Sequence, residues 1–215
     1  MLEHGRLFFS RLDRFDDPFE GSVNQPTIEL LDEALKPYSA QTSGRLVFEQ
    51  TLPKLRKWTM VNCWHMNDFE SAAMWKLYAV LDRAIAVQST YGRLRESLKD
   101  ATESIFIGKI NYISYEADRM PVRNMFHPFL HKRRSFEHER ELRAIVQFTE
   151  DAFKNEKEPP EDGIWVNCDL DILVEHICVS PSSPKWFREL LQQILKRYGR
   201  AFTLQQSSLA AKPLF

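Results

Sequence analysis

Apolar and polar positions alternate most clearly in Glu139-Arg140-Glu141-Leu142-Arg143-Ala144-Ile145-Val146-Gln147-Phe148. Successive side chains of a strand point to opposite faces, so this spacing predicts a strand with Leu142, Ala144, Val146 and Phe148 on a core face. Glu139, Glu141 and Arg143, with Ile145 and Gln147, fall on the other face. Shorter apolar runs predict strands at 6–10, 60–64, 84–87, 105–113, 164–166, 177–179 and 202–204. Between them lie helical patterns. One helix is expected over 27–36 with Thr27 as cap, and another over 44–58, broken or restarted at Pro53. Asn67 to Glu70 reads as a capping box for a helix from Ser71 to Leu81, with Met74, Leu77, Tyr78 and Leu81 as its core stripe. Ser89 or Thr90 caps a helix carrying Tyr91, Leu94 and Leu98. Residues 121–134 read as helix interrupted near Pro128. The last helix, 185–198, has Ser183 as cap, Pro184 in its first turn and Gly199 as its stop, with Trp186, Leu190, Leu191, Ile194 and Leu195 as its apolar stripe. Two loops stand out: the Asp-rich 11–22 with Pro18 and Gly21, and the acidic surface excursion near 150–163 with Pro159-Pro160. The expected fold is α+β, a mixed sheet of short strands flanked by helices, as one domain over residues 1–215.

Composition narrows the class of protein. Hydrophobic residues make up 43% and include 15 Phe, ample for a packed core. Lys+Arg 29 against Asp+Glu 30 leaves a net charge of −1, which does not point to nucleic acid, although a local basic patch stays open. Cys63, Cys168 and Cys178 are widely spaced and read as buried, reduced thiols. Neither a signal peptide nor a membrane-length apolar run is visible, so a soluble cytoplasmic protein without membrane partners is expected.

Two carboxylates and a guanidinium on one strand face are costly to bury unless paired, so Glu139, Glu141 and Arg143 mark either a salt-bridged face or a site. Asp16, Asp17 and Glu20 could hold a hard cation. Asx turns at Asp13 and Asp17 are the simpler reading, and no metal is expected. His127 and His131 have i, i+4 spacing, but Pro128 between them favours two surface histidines. The basic run 131–134, near Phe129 and Phe136, could bind phosphate or be a solvated helix end. Trp75 and Tyr78 could stack on a flat ring or lie in the core. Cys63 beside Trp64 and His65 forms a Cys-His neighbourhood.

Phe15-Asp-Asp-Pro-Phe-Glu20, Met74-Trp-Lys-Leu-Tyr-Ala79, Phe136-Glu-His-Glu-Arg-Glu-Leu-Arg143, Val179-Ser-Pro181 and Ser207-Ser-Leu209 follow one another in this order. In that ordered set the chain resembles the bacterial domain-of-unknown-function 2971 family over essentially its whole length. The resemblance implies an intracellular bacterial protein whose activity is not established at family level. Members usually begin earlier, so an N-terminal strand and helix are expected to be missing here; Asp16 stands where Asn is commoner. Glu139-x-Glu141 is similar to the paired glutamates of ADP-ribosyltransferases, in which one glutamate holds the ribose hydroxyl and the other orients the nucleophile. That similarity implies Glu139 and Glu141 as catalytic residues, NAD as cofactor, and Ser89, Thr90, Arg143, Trp75 and Tyr78 on the cofactor side. Arg6 and Arg11 are the nearby candidates for an early NAD-holding cation.

Three functions follow as expectations. The first is an ADP-ribosyltransferase-like domain in bacterial defence, acting on an unknown small molecule or macromolecular acceptor. The second is a non-enzymatic binding or regulatory domain, in which the glutamates and Arg143 form a network with the Lys-Arg run. The third is a metal-dependent nucleic-acid-processing enzyme centred on Asp16, Asp17 and the glutamates. The first expects a cleft holding the glutamates beside Ser89, the second those carboxylates capped by Arg side chains with no cavity, and the third Asp17 within metal-sharing reach of the glutamates.

Overall fold

A computed structural model describes residues 1–38, 43–79, 83–154 and 157–214. Its elements run β1 (Arg6–Arg11), α1 (Gln25–Leu35), α2 (Gly44–Lys57), β2 (Thr59–His65), α3 (Ala72–Tyr78), β3 (Ile85–Gln88), α4 (Tyr91–Ser97), β4 (Ile105–Lys109), β5 (Asn111–Ile113), β6 (His131–Arg133), β7 (Glu141–Gln147), α5 (Thr149–Lys154), β8 (Gly163–Asn167), α6 (Leu170–Leu173), β9 (His176–Val179), α7 (Lys185–Arg197) and β10 (Leu204–Gln206). Mixed sheets flanked by helices make this an α+β fold. The chain divides into two compact units, one of residues 8–66 and 103–165 and one of residues 1–7, 67–102 and 166–215. They are called the network unit and the terminal unit below, and each is described by itself.

The network unit is built on a five-stranded sheet in the order β4–β7–β2–β1–β8. Inner strand β7 pairs antiparallel with β2 and β4, its register placing Ile145 opposite Val61, Arg143 opposite Cys63 and Glu141 opposite His65. β5 and β6 form a separate parallel pair. Leu12, Leu52, Leu55, Trp58, Val61, Phe129, Ile145 and Ala152 make the core cluster. Gly163 is required where β8 meets β1: its φ is +150°, and a Cβ there would stand 2.1 Å from the Phe9 carbonyl oxygen.

Several expectations change here. β7 begins at Glu141, after a 3-10 turn over Arg134–Glu139, and both of its faces are buried, so Ile145 belongs to the core and Glu139 is not on the strand. The left-handed Arg140 (φ 41°) breaks the alternation between the two glutamates. Asn24, not Thr27, caps α1; its side chain accepts the Thr27 N–H, and Thr27 is buried. α2, capped by Ser43, runs unbroken through Pro53. The expected helix over 121–134 is a 3-10 turn over His127–Leu130 followed by β6. Part of the 150–163 excursion is helix α5, and the Arg11 N–H donates to the Asp162 carbonyl further along, at 2.8 Å.

The terminal unit carries a three-stranded sheet in the order β10–β9–β3, parallel between β10 and β9 and antiparallel between β9 and β3. Thr90 caps α4, which packs on α6. Ser71 caps α3 in place of the expected box, leaving Glu70 free for other partners. The expected core stripe of α3 is not buried: Leu77 and Tyr78 are 55% and 66% exposed, and Leu81 lies outside the described residues. α7 starts at Lys185 as expected, with Pro184 and not Ser183 at its cap position, and the left-handed Gly199 ends it. Of its stripe Leu195 is buried, Leu191 and Ile194 are half-buried, and Trp186 and Leu190 are exposed. Among the described residues no helix is long and apolar enough to cross a membrane.

Candidate functional site: a buried carboxylate–cation network

Three distant segments of the network unit bring their charges together. The first is the loop before α1, where the Asp17 carboxylate accepts the Phe19 N–H at 3.1 Å, an Asx turn as expected. The next turn needs Gly21, because φ is +67° and a Cβ would meet Leu12 at 2.8 Å and Phe129 at 2.9 Å. This tight approach turns Glu20 inward, where it is 2% exposed. β6 supplies the second segment, with His131 and Lys132 buried and Arg133 half-buried. β7 supplies the third, and Arg140 in its left-handed conformation lets Glu139 and Glu141 converge from a turn and a strand.

Arg143 is the centre, its side chain wholly buried. Its Nε donates to Glu141 Oε1 at 2.5 Å, and its Nη2 donates to Glu141 Oε2 at 3.1 Å and Glu20 Oε1 at 2.9 Å. Its Nη1 donates to the Phe129 carbonyl at 2.9 Å. Glu20 Oε2 also lies 2.9 Å from Nη2, close enough for charge attraction but without hydrogen-bond geometry. Lys132 completes the network: its ammonium sits 2.6 Å from Glu139, 2.9 Å from Glu20 and 3.2 Å from Glu141. Three carboxylates therefore share two cations. Lys132 also lies 4.9 Å from the Phe136 ring, and the Arg133 guanidinium 4.2 Å from Phe19 while it binds Asp17 at 2.9 Å.

This arrangement sets the charge states. Burial works against the charge of Glu141, but Arg143 and then Lys132 override it and hold the carboxyl below its ordinary range. Burial likewise opposes the charges of Arg143 and Lys132, and the surrounding carboxylates more than compensate, raising both. The Tyr112 hydroxyl accepts the Glu141 N–H at 2.8 Å; burial, with the Glu141 charge, pushes its pKa up to about 12. Cys63, expected to be buried, is exposed, on the strand position opposite Arg143. It is the surroundings of the sulfur that set its chemistry: desolvation first, then Glu141, push the thiol well above its usual value, which disfavours the nucleophilic thiolate.

The other expected site residues have partners of their own. Ser89 and Thr90 belong to the terminal unit, where the Ser89 hydroxyl donates to the Leu173 carbonyl at 2.6 Å and the Thr90 hydroxyl accepts the Arg93 N–H at 3.2 Å. Trp75 and Tyr78 are in the same unit, and the Trp75 indole donates to Glu70 at 3.0 Å. Arg11 is spent on Asp13, at 2.7 and 2.8 Å, and on the Pro160 carbonyl, at 2.7 Å. His131, expected at the surface, is 4% exposed, and burial lowers its pKa. Among the described residues no group of three or more His, Cys, Asp or Glu could hold a metal ion. Where three carboxylates do converge, the cation they share is Lys132.

Glu20 was expected among the acidic loop residues and Lys132 within the basic run, but neither was singled out as the member that joins the glutamates and Arg143. Nothing local distinguishes Glu20 from its acidic neighbours, and Lys132 is hidden in a run of four basic residues. Comparison with family models, with curated proteins and with solved structures finds no match to the chain.

Proposed function

We propose that the protein is a binding or regulatory domain whose Glu20–Lys132–Glu139–Glu141–Arg143 network organises its fold rather than catalysing a reaction. One observation carries this reading: both oxygens of Glu141 are engaged, by Arg143 and Lys132, on a side chain 7% exposed. A transferase glutamate must offer an oxygen to the ribose hydroxyl. Freeing Glu141 for that role would break a buried ion pair, at about 3–5 kcal/mol. Incubating the full chain with labelled NAD and a bacterial lysate tests the reading. The expected result is no label on protein or nucleic acid from the parent or from Glu141→Gln. Labelling by the parent that Glu141→Gln abolishes would overturn it.

The NAD-using ADP-ribosyltransferase-like reading, with its expected place in bacterial defence, keeps one specific support. Glu139 and Glu141 do meet, 2.6 and 3.2 Å from the Lys132 ammonium, and Glu139 is the more exposed of the two at 17%. In that reading Lys132 stands where a substrate cation or oxocarbenium charge would develop and must move aside. The resemblance to the domain-of-unknown-function 2971 family fits either reading. A metal-dependent nucleic-acid enzyme has less support, since Asp17 is spent on Arg133.

A further inference from the structure

Glu70, in the terminal unit, gathers donors from residues more than a hundred positions away. Its Oε2 accepts the Ser207 hydroxyl and, at 3.0 Å, the Trp75 indole N–H; its Oε1 accepts the Ser208 N–H at 2.6 Å. The Cys178 sulfur lies 3.7 Å from the same Oε2. Burial disfavours the Glu70 charge, but these hydrogen bonds override it and bring its pKa down to about 2. A carboxylate held so acidic is a poor general base at neutral pH, and histidine is not among these partners, so the cluster does not read as a catalytic one. Its physical effect is adhesive.

The segment it grips is tied mainly by hydrogen bonds and buries little apolar surface among the described residues. β10 is three residues long, with Leu204 half-buried and Gln205 and Gln206 exposed. Beyond it Leu209 and Leu214 are 47% and 91% exposed. Its other ties are the ladder to β9, the Ser207 N–H to the Val179 carbonyl at 3.0 Å, the Gln206 amide to the Ser180 carbonyl at 2.8 Å and Arg188 to the Leu204 carbonyl at 3.2 Å. Segments with few buried apolar contacts open locally before the rest of a domain does. Ser207 itself is 2% exposed, so the latch is the buried part of an otherwise surface segment.

We propose that residues 204–210 form a detachable strap, latched by the Glu70 carboxylate, whose release uncovers the β9 edge and Cys178 while the remainder of the terminal unit stays folded.

Alkylation of the native full chain with N-ethylmaleimide, mapped by mass spectrometry, tests the strap. Cys168, buried in the same unit, is the internal control. Ser207→Ala removes a latch donor but leaves the Glu70 charge beside Cys178, so a faster reaction reports opening rather than a more acidic thiol. The expected result is about tenfold faster alkylation of Cys178 than in the parent, with Cys168 unchanged. Acceleration of Cys168 in step with Cys178 would mean that the whole unit opens, and no acceleration in Ser207→Ala would mean that the Glu70–Ser207 contact is not the latch; each overturns the proposal. In the parent chain alone, hydrogen exchange reads the same order: the Ser207 and Ser208 amides should exchange before those of the β3–β9 ladder. Equal protection would refute a separable strap.

Discussion

Replacing Arg143 with Leu removes the one guanidinium that serves two buried carboxylates. In the parent, side-chain exposures of 0%, 1% and 7% for Arg143, Glu20 and Glu141 mean that none of the three has water to fall back on. The variant leaves Glu20, Glu139 and Glu141 to share Lys132, and the Phe129 carbonyl loses its donor. Breaking a buried ion pair from one side costs about 3–5 kcal/mol, and losing the partner of two carboxylates places the variant toward the upper end. That is a large part of the roughly 5–15 kcal/mol by which domains are usually stable. Urea unfolding followed by circular dichroism at neutral pH measures it. The sign of the pH dependence provides a second check. In the parent the Glu141 pKa is lowered, so the network contributes above the ordinary carboxyl range and fades as pH falls through the folded pKa. In Arg143→Leu the stranded carboxylates gain protons more readily than in the unfolded chain, so the deficit shrinks as pH falls. A deficit below about 1 kcal/mol at neutral pH, or one that grows on acidification, would refute the description of the network as a fold-organising pin.

Three further outcomes are expected. The pKa of His131 is lowered by burial, so between the ordinary histidine pKa of about 6.5 and its folded value the unfolded chain binds more protons; stability therefore falls as pH drops through that window, and His131→Asn should flatten the melting temperature there. Gly163→Ala would drive a Cβ to 2.1 Å from the Phe9 carbonyl oxygen, so it should destabilise the β1–β8 pairing by at least about 2 kcal/mol; a melt equal to the parent's would contradict this. Leu195→Ala should cost about 2–5 kcal/mol, while Leu190→Ala, at a position 42% exposed, should stay below about 1 kcal/mol; equal costs from the two would show that the other face of α7 is covered in solution.

Much of the fold can be read from local pattern because local pattern has local causes. Periodicity alone placed the strands around residues 60–64 and 177–179, and hydroxyl capping placed the start of α4 at Ser89 or Thr90, of which Thr90 is the cap. Gly199 ended α7 because a left-handed residue stops a helix wherever it sits. The α+β class follows from the same alternation of short strands and helical stretches. Tertiary structure decided the rest. Pro53 was tolerated inside α2 and did not break it. Residues 121–134 became a 3-10 turn and strand β6, with Lys132 and His131 turned inward, because neighbouring segments offered carboxylates and burial. The left-handed Arg140 divided the apparent Glu139-to-Phe148 strand, and periodicity does not register a single left-handed residue. The Glu139-x-Glu141 pair was visible as a charged face and the Lys-Arg run as a counter-charge, but Glu20 as a partner, and Lys132 as the one member of that run that reaches it, were not. A buried charge is stable only beside its counter-charge, and which charges meet depends on contacts between residues more than a hundred positions apart.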